Sequence, residues 1–460
     1  MKSKFFKILL AVSAPLAVAT PLVAMSCGKD KNDYKVIEVD GVKTLETLAE
    51  IHSIKGLKLP EGMTKENAPR AIFITDEGTI NDKSFNQSGW EAVNKVSFEL
   101  GINTAKKDEL INKYIEVEKG KLETSYKQAI DEGFRYIVLC GFTHEASLTK
   151  LLTDAVYKKK IVDNKIIFIC VYFPGTDLQK AIPGQILPVI FNTRTAEFMA
   201  GQATANYLAE KYPGKDNKNK RTVGAFGGIV WPAVSDFIVG FYRGIIEANK
   251  SLGTDDKVYS ISAKTELETG FVQGSAEATA AVNGIAKAQV LFPVAGSITI
   301  DAVERLRKDG REGQVVIGVD ADQSKAFEDK VFFSSVLKKV GQAIYTTIAE
   351  LYTKQEKNLT FYPGFEAGKT NATALSFGYD PNDSTKAFVG IANAALANEA
   401  DNTIAQKHID AAVKYYKENS SAVDKILSNE EDKKLTGAAA GPDFYKTLVN
   451  ELSKLLNTGL

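Results

Sequence analysis

An α/β fold with two doubly wound lobes is predicted by three features of this 460-residue chain. Short runs rich in Ile, Val and Phe are apolar almost without a break, as parallel strands covered on both faces must be. Segments of helical period separate them, which is the alternation of open α/β sheets. The strand candidates are residues 71–75, 136–140, 165–171, 186–191, 222–226, 258–262, 289–294, 315–319 and 331–337. Nine strands are many for one small sheet, so two lobes divide them better.

The N-terminus is read apart from the fold. Lys2, Lys4 and Lys7 precede an apolar stretch over 8–24 that Pro15 and Pro21 interrupt, and the stretch ends in Ala24-Met25-Ser26-Cys27-Gly28. This resembles a bacterial lipoprotein signal covering 1–26, with cleavage before Cys27 and lipidation of its thiol. An uncleaved anchor helix fits less well, because it needs about 18 uninterrupted apolar residues. Residues 27–70 are a polar tether followed by an elaboration without a firm period. After the first strand, Phe85, Gly89, Val93, Val96 and Leu100 recur at three- and four-residue steps, with Ser84 placed as the cap of a helix. Val303 and Leu306 mark another helix, closed near Gly310. Pro381-Asn382-Asp383-Ser384 marks a turn, Pro442 precedes the last helix, and Phe444, Leu448, Leu452 and Leu456 give that helix a face to dock.

Composition narrows the function classes. The 57 Lys+Arg balance 57 Asp+Glu, which argues against general nucleic-acid binding, since that requires a basic face. Three cysteines exclude a disulfide scaffold. Cys140 and Cys170 each end an apolar run and read as buried free thiols, with a disulfide as the alternative if their strands are neighbours. His52, His144 and His408 are too scattered for a zinc site, and no metal or other cofactor is expected. Walker A, Gly-x-Ser-x-Gly and His-Glu-x-x-His signatures are all missing, so no enzyme is expected.

One segment is richer than the rest. Thr75-Asp76-Glu77-Gly78-Thr79-Ile80-Asn81-Asp82-Lys83-Ser84-Phe85-Asn86-Gln87-Ser88-Gly89-Trp90 follows the first strong strand and runs into a helix. That places a carboxylate, an aromatic ring and an amide at the carboxyl edge of a sheet, where α/β folds bind ligands. The plainer reading is that Asp82 and Ser84 cap the helix while Phe85 packs as a staple.

The segment resembles the opening motif of the basic membrane protein family, purine-nucleoside-binding lipoproteins that serve ABC importers, and the chain looks like a mycoplasma-type member. Further matches follow in order: Cys140-Gly141-Phe142, Phe191-Asn192-Thr193-Arg194 with Ala200-Gly201, Gly227-Gly228 with Pro232, Phe237 and Gly240-Phe241, Ala295-Gly296, Ile317 to Gln323, and Ser335-Val336-Leu337-Lys338. The resemblance spans about 71–341. It implies a type I substrate-binding fold: lobe one at 71–192 with a return at 321–340, and lobe two at 193–320 with 341–380. Three crossovers join them, and a helical extension occupies 381–460.

The resemblance also implies roles. Phe85 and Phe271 would sandwich a purine, with Phe237 as the alternative second ring; a core role for Phe271 is equally compatible with its sequence context. Asp320 and Lys338 would take the ribose, Asp76 and Asn86 would contact the base or order the loop, and Gly296 would let the backbone approach. Glu145 stands where the family has an aspartate, one residue out of step, which bears on base selectivity. The expected ligand is a nucleoside, the expected partners are the permease and ATPase subunits of an importer, and the expected location is the outer face of the cytoplasmic membrane, held there by lipid. The alternative is a surface lipoprotein of the same fold, used for adhesion or host interaction or for another small ligand. A nucleoside hydrolase would need a run of calcium-binding aspartates that Asp320-x-Asp322 alone does not supply.

Overall fold

All nine expected strands form, and they fall into two parallel sheets with the same strand order. The computed structural model describes residues 33–458 apart from 77, 84, 382–386 and 438–442. The leader, Cys27, most of the tether, Ser84, Pro442 and most of the turn at 381–384 lie outside the described residues.

In the first lobe, a hairpin of β1 (Val36–Val39) and β2 (Val42–Leu45) precedes β3 (Ala71–Thr75), α1 (Phe85–Glu99), β4 (Lys113–Ile115), α2 (Leu122–Asp131) and β5 (Tyr136–Cys140). Then come α3 (His144–Leu151), α4 (Ala155–Asp163), β6 (Ile167–Val171), α5 (Thr176–Ala181) and β7 (Ile186–Val189). The sheet runs β4-β3-β5-β6-β7. Strands β3, β5, β6 and β7 are buried at every position, as their unbroken apolar runs require. The N-terminal elaboration belongs to this lobe. Ala49 and Ile51 enter its core, and Lys95 of α1 donates to Thr44 at 2.7 Å.

The second lobe repeats the plan with α6 (Arg194–Lys211), β8 (Thr222–Gly227), α7 (Pro232–Asn249), β9 (Tyr259–Ser260), α8 (Ala276–Ile285), β10 (Val290–Val294), α9 (Ile298–Asp309), β11 (Val315–Asp320) and β12 (Val331–Lys338). Its order is β9-β8-β10-β11-β12. In both lobes the second strand lies outside the first and the third lies inside it. The winding therefore reverses between β3 and β5 in one sheet and between β8 and β10 in the other, and such reversals open a crevice beyond the carboxyl ends of the strands.

The second crossing between lobes comes later than expected. The return of 321–340 to lobe one is corrected: β12 pairs in parallel with β11, and Phe333 and Val336 join the second lobe's core. The placement of 341–380 in lobe two is corrected as well. Helix α10 (Val340–Thr353) packs on the first lobe, where Ile344, Ile348 and Tyr352 are fully buried, and β13 (Lys357–Leu359) with β14 (Tyr362–Glu366) adds Leu359, Tyr362 and Phe365 to the same core. The second change follows from packing on the first lobe's core and the first from strand pairing. An apolar strand next to a parallel neighbour stays in that sheet, even though only a short 3-10 turn over Gln323–Ala326 links the two. The chain thus crosses at 190–194, at 338–340 and at 377–389. Asn192 donates to Phe377 O at 3.0 Å and Lys339 to Phe388 O at 2.7 Å, so the three crossings are stitched to one another.

Beyond the crossings, β15 (Val389–Ile391) and β16 (Ala395–Leu396) line the β12 edge antiparallel. Helices α11 (Glu399–Ile426), α12 (Asn429–Thr436) and α13 (Phe444–Asn457) then cover the second lobe. The face expected of α13 docks as its spacing dictates, with Leu448, Leu452 and Leu456 buried. Asp432 is fully buried and accepts from Arg194 at 2.5 Å and from Arg243 at 2.7 Å, which fixes α12 to α6 and α7. Cys140 and Cys170 are free and buried. Cys140 lies opposite Val171 and Cys170 opposite Leu139, so alternation sends the thiols to opposite faces of the sheet and no disulfide can form.

Glu197 of α6 is fully buried where Gly240 of α7 approaches, and neither carboxyl oxygen has a hydrogen-bond partner among the described residues. Burial pushes its pKa well above the usual carboxylate range, with Asp236 adding to the effect. The folded chain therefore keeps a proton that the unfolded chain releases above about pH 4.3, and stability falls as pH rises from there. Glu197→Gln is expected to remove this fall, raising the thermal midpoint more at pH 8 than at pH 5 in paired melts of the two proteins.

Candidate functional site

The two crevices face each other and form one cleft with about 650 Å³ of space unoccupied by atoms and continuous with solvent. Most of its lining residues sit at or just beyond strand ends or on the first turns of the following helices. Asp76 follows β3, Gly141 and Phe142 follow β5, and Tyr172 follows β6; Gly296 follows β10, Asp320 ends β11 and Lys338 ends β12. Phe85 and Asn86 open α1, Val234 lies in the first turn of α7, and Ser297 precedes α9.

Helix α1 is held at its start by Asp82. One carboxylate oxygen accepts from the Asn86 backbone at 2.9 Å and from its side-chain amide at 3.0 Å, and the other accepts from Gln87 N at 3.1 Å. The capping part of the plainer reading therefore holds for Asp82. The same bonds orient the Asn86 amide at the cleft. Phe85 stacks on Tyr172, with centroids 5.2 Å apart and planes at 28°. The opposite wall carries Phe271, whose carbonyl accepts from Ser297 Oγ at 2.9 Å. Phe271 lines the cleft, whereas Phe237 is 1% exposed and meets the site only beneath Lys338.

At the floor, Lys338 Nζ lies 2.5 Å from Asp320 Oδ1, and both side chains are almost fully buried. The ammonium also stands 4.1 Å from the Tyr172 ring centroid and 4.6 Å from that of Phe237. Burial pushes the Lys338 pKa well down from the ordinary lysine value. Asp320 and Tyr172 hold φ of +68° and +75°, a backbone region that costs a non-glycine residue about 1–3 kcal/mol and is tolerated mainly where function requires it. The lobes also touch around the cleft: Phe142 stacks on Trp231 at 5.4 Å, and Lys83 donates to Ala326 O at 2.9 Å.

Of the expected site residues, Asp76, Phe85, Asn86, Phe271, Gly296, Asp320 and Lys338 line the cleft. Glu145 does not, which corrects that expectation. Helix α3 begins at His144, whose fully buried ring meets Tyr126 Oη at 2.7 Å and is kept neutral by burial, with its pKa down at about 3. Successive helical residues point about 100° apart, so with His144 inward Glu145 turns aside to accept from the Gly175 backbone. Tyr172 was missed by sequence reasoning. The available signal was its position, one residue past a parallel strand and on the same edge as Asp76 and Gly141.

The comparisons with known proteins agree with this architecture. A family model described as "ABC transporter substrate-binding protein PnrA-like" matches residues 70–369. Basic membrane protein A1 of Borrelia garinii subsp. bavariensis is 27% identical over 285 residues, covering 62% of this chain and 73% of the relative. The ABC transporter nucleoside-binding protein BmpA of Lactococcus lactis subsp. cremoris is 25% identical over 295 residues, covering 60% and 72%. Among solved structures, an ABC transporter solute-binding protein from Aeropyrum pernix K1 superposes with a TM-score of 0.57 at 16% identity, covering 85% of this chain and 98% of that one.

Gly141 tests the geometry of the cleft. Its φ is +127°, and a Cβ there would run into the Asp76 carboxylate. Gly141→Ala is expected to displace Asp76 and cost about 1–3 kcal/mol in urea denaturation.

Proposed function

Because the chain belongs to the PnrA-like ABC transporter substrate-binding family, we propose that it captures purine nucleosides between its lobes and delivers them to the permease and ATPase of an importer. The observation that carries this reading is the make-up of the cleft: aromatic rings on both walls and a charge-balanced Asp320–Lys338 pair on the floor. A neutral, flat ligand with vicinal hydroxyls suits that combination. Its base would lie between Phe85 and Phe271, with Asp76 and Asn86 along the polar edge. The paired carboxylate and ammonium would accept from and donate to ribose hydroxyls, as charged groups do most strongly. Nothing in this reading calls for a reaction: binding and hinge closure suffice. The name of the Lactococcus lactis relative supports the nucleoside class.

Calorimetry with inosine, adenosine and guanosine beside galactose and free amino acids checks the ligand class. A purine nucleoside is expected to bind with a Kd near or below 1 μM, equivalent to about −8 kcal/mol. Binding of only sugars or amino acids would overturn the assignment. Phe85→Ala and Phe271→Ala should each weaken the nucleoside by about 1–3 kcal/mol, roughly 5- to 150-fold.

The proposal places the protein on the outer face of the cytoplasmic membrane, anchored by acyl chains on Cys27. Two or more chains make such anchoring stable, at about 0.8 kcal/mol per buried methylene. In detergent phase separation, the protein expressed in a lipoprotein-processing bacterium should enter the detergent phase, and Cys27→Ser should move to the aqueous phase. Equal partitioning of the two would remove the anchor from the proposal.

A further inference from the structure

The geometry points to Tyr172 as a specificity-determining residue that reads the sugar of the bound nucleoside through its hydroxyl, an assignment that rests on the nucleoside reading above. Three observations converge on this side chain. Its backbone holds φ of +75°, where glycine or asparagine would sit with less strain. Its ring stacks on Phe85 and tilts against Phe191 at 5.7 Å, and a phenylalanine would make both contacts equally well. Its hydroxyl is buried and has no hydrogen-bond partner among the described residues. The hydroxyl is thus the one part of the side chain that packing does not account for, and it belongs to a residue lining the cleft.

A buried hydroxyl left without a partner is unfavourable, and a ligand atom supplying the missing bond removes the cost. The sugar is the part of the ligand that this hydroxyl meets, because of what surrounds it. Lys338 Nζ stands 4.1 Å from the centroid of the Tyr172 ring, and Lys338 is paired with Asp320. These are the groups that take ribose hydroxyls, whereas Asp76 and Asn86 lie on the base side. Tyr172 therefore adds a neutral donor and acceptor to the sugar end, while its ring stacks on Phe85.

Tyr172→Phe keeps the ring and removes only the hydroxyl, and a ligand-free thermal midpoint no lower than that of the unaltered protein would establish that the fold is intact. Calorimetry with inosine and competition with hypoxanthine up to millimolar concentration separate sugar from base. The expected result is about a tenfold loss for inosine with hypoxanthine changed less than twofold. An equal loss for both probes would place the hydroxyl's effect on the base or on Phe85 and overturn the inference, and so would unchanged inosine binding. If the unaltered protein binds no inosine at all, the nucleoside reading fails and this inference fails with it. Inosine bound by the unaltered protein and bound equally by the variant overturns the inference alone.

Discussion

The Asp320–Lys338 ion pair is the contact on which the cleft depends. Two charges this deeply buried are tolerated only as a pair, because removing one leaves the other without compensation at a cost of about 3–5 kcal/mol. The pair sits where β11 and β12 end and where the chain is about to cross into the first lobe. Its surroundings come from both lobes, with Phe85 and Tyr172 on one side and Phe237 on the other. The two lobes together therefore build the environment in which the ammonium is held, and a ligand entering the cleft meets a floor whose net charge is already balanced.

Identical strand order in the two sheets explains why the lining residues come from such distant parts of the sequence. Each sheet reverses its winding at one point, and each reversal leaves loop ends projecting from the carboxyl edge. Three stitched crossings bring these edges face to face. The C-terminal helices act at a distance from the cleft. Through Asp432 they lock α6 and α7, the first of which begins directly after a crossing and the second of which lends Val234 to the wall.

Several features of the site were legible because they depend on local order. Asp76, Phe85 and Asn86 stand within one loop and one helical turn, so a strand followed by a helix is enough to bring them together. Asp320, Gly296 and Lys338 were named through the family resemblance, and each reaches the cleft because it follows or ends a strand of the second sheet. Glu145 failed for a local reason as well: His144 takes the inward position, and the next residue must then point elsewhere. Tyr172 carried no motif, and its importance follows from what its ring and hydroxyl meet in three dimensions.

The sequence by itself determined the α/β class, the positions of the nine strands, the division into two lobes and, with the family resemblance, seven of the cleft's fifteen lining residues. Apolar runs and helical periods are properties of neighbouring residues, and the carboxyl edge of a parallel sheet is where its ligand loops must lie. Only the tertiary structure decided that β12 stays with the second sheet, that α10 returns to the first lobe, that Cys140 and Cys170 face apart, and that Phe271 rather than Phe237 reaches the cleft. Each of these turns on strand pairing or packing between residues far apart in the chain. Local pattern leaves such partners undetermined, because a buried strand looks the same whichever buried neighbour it joins.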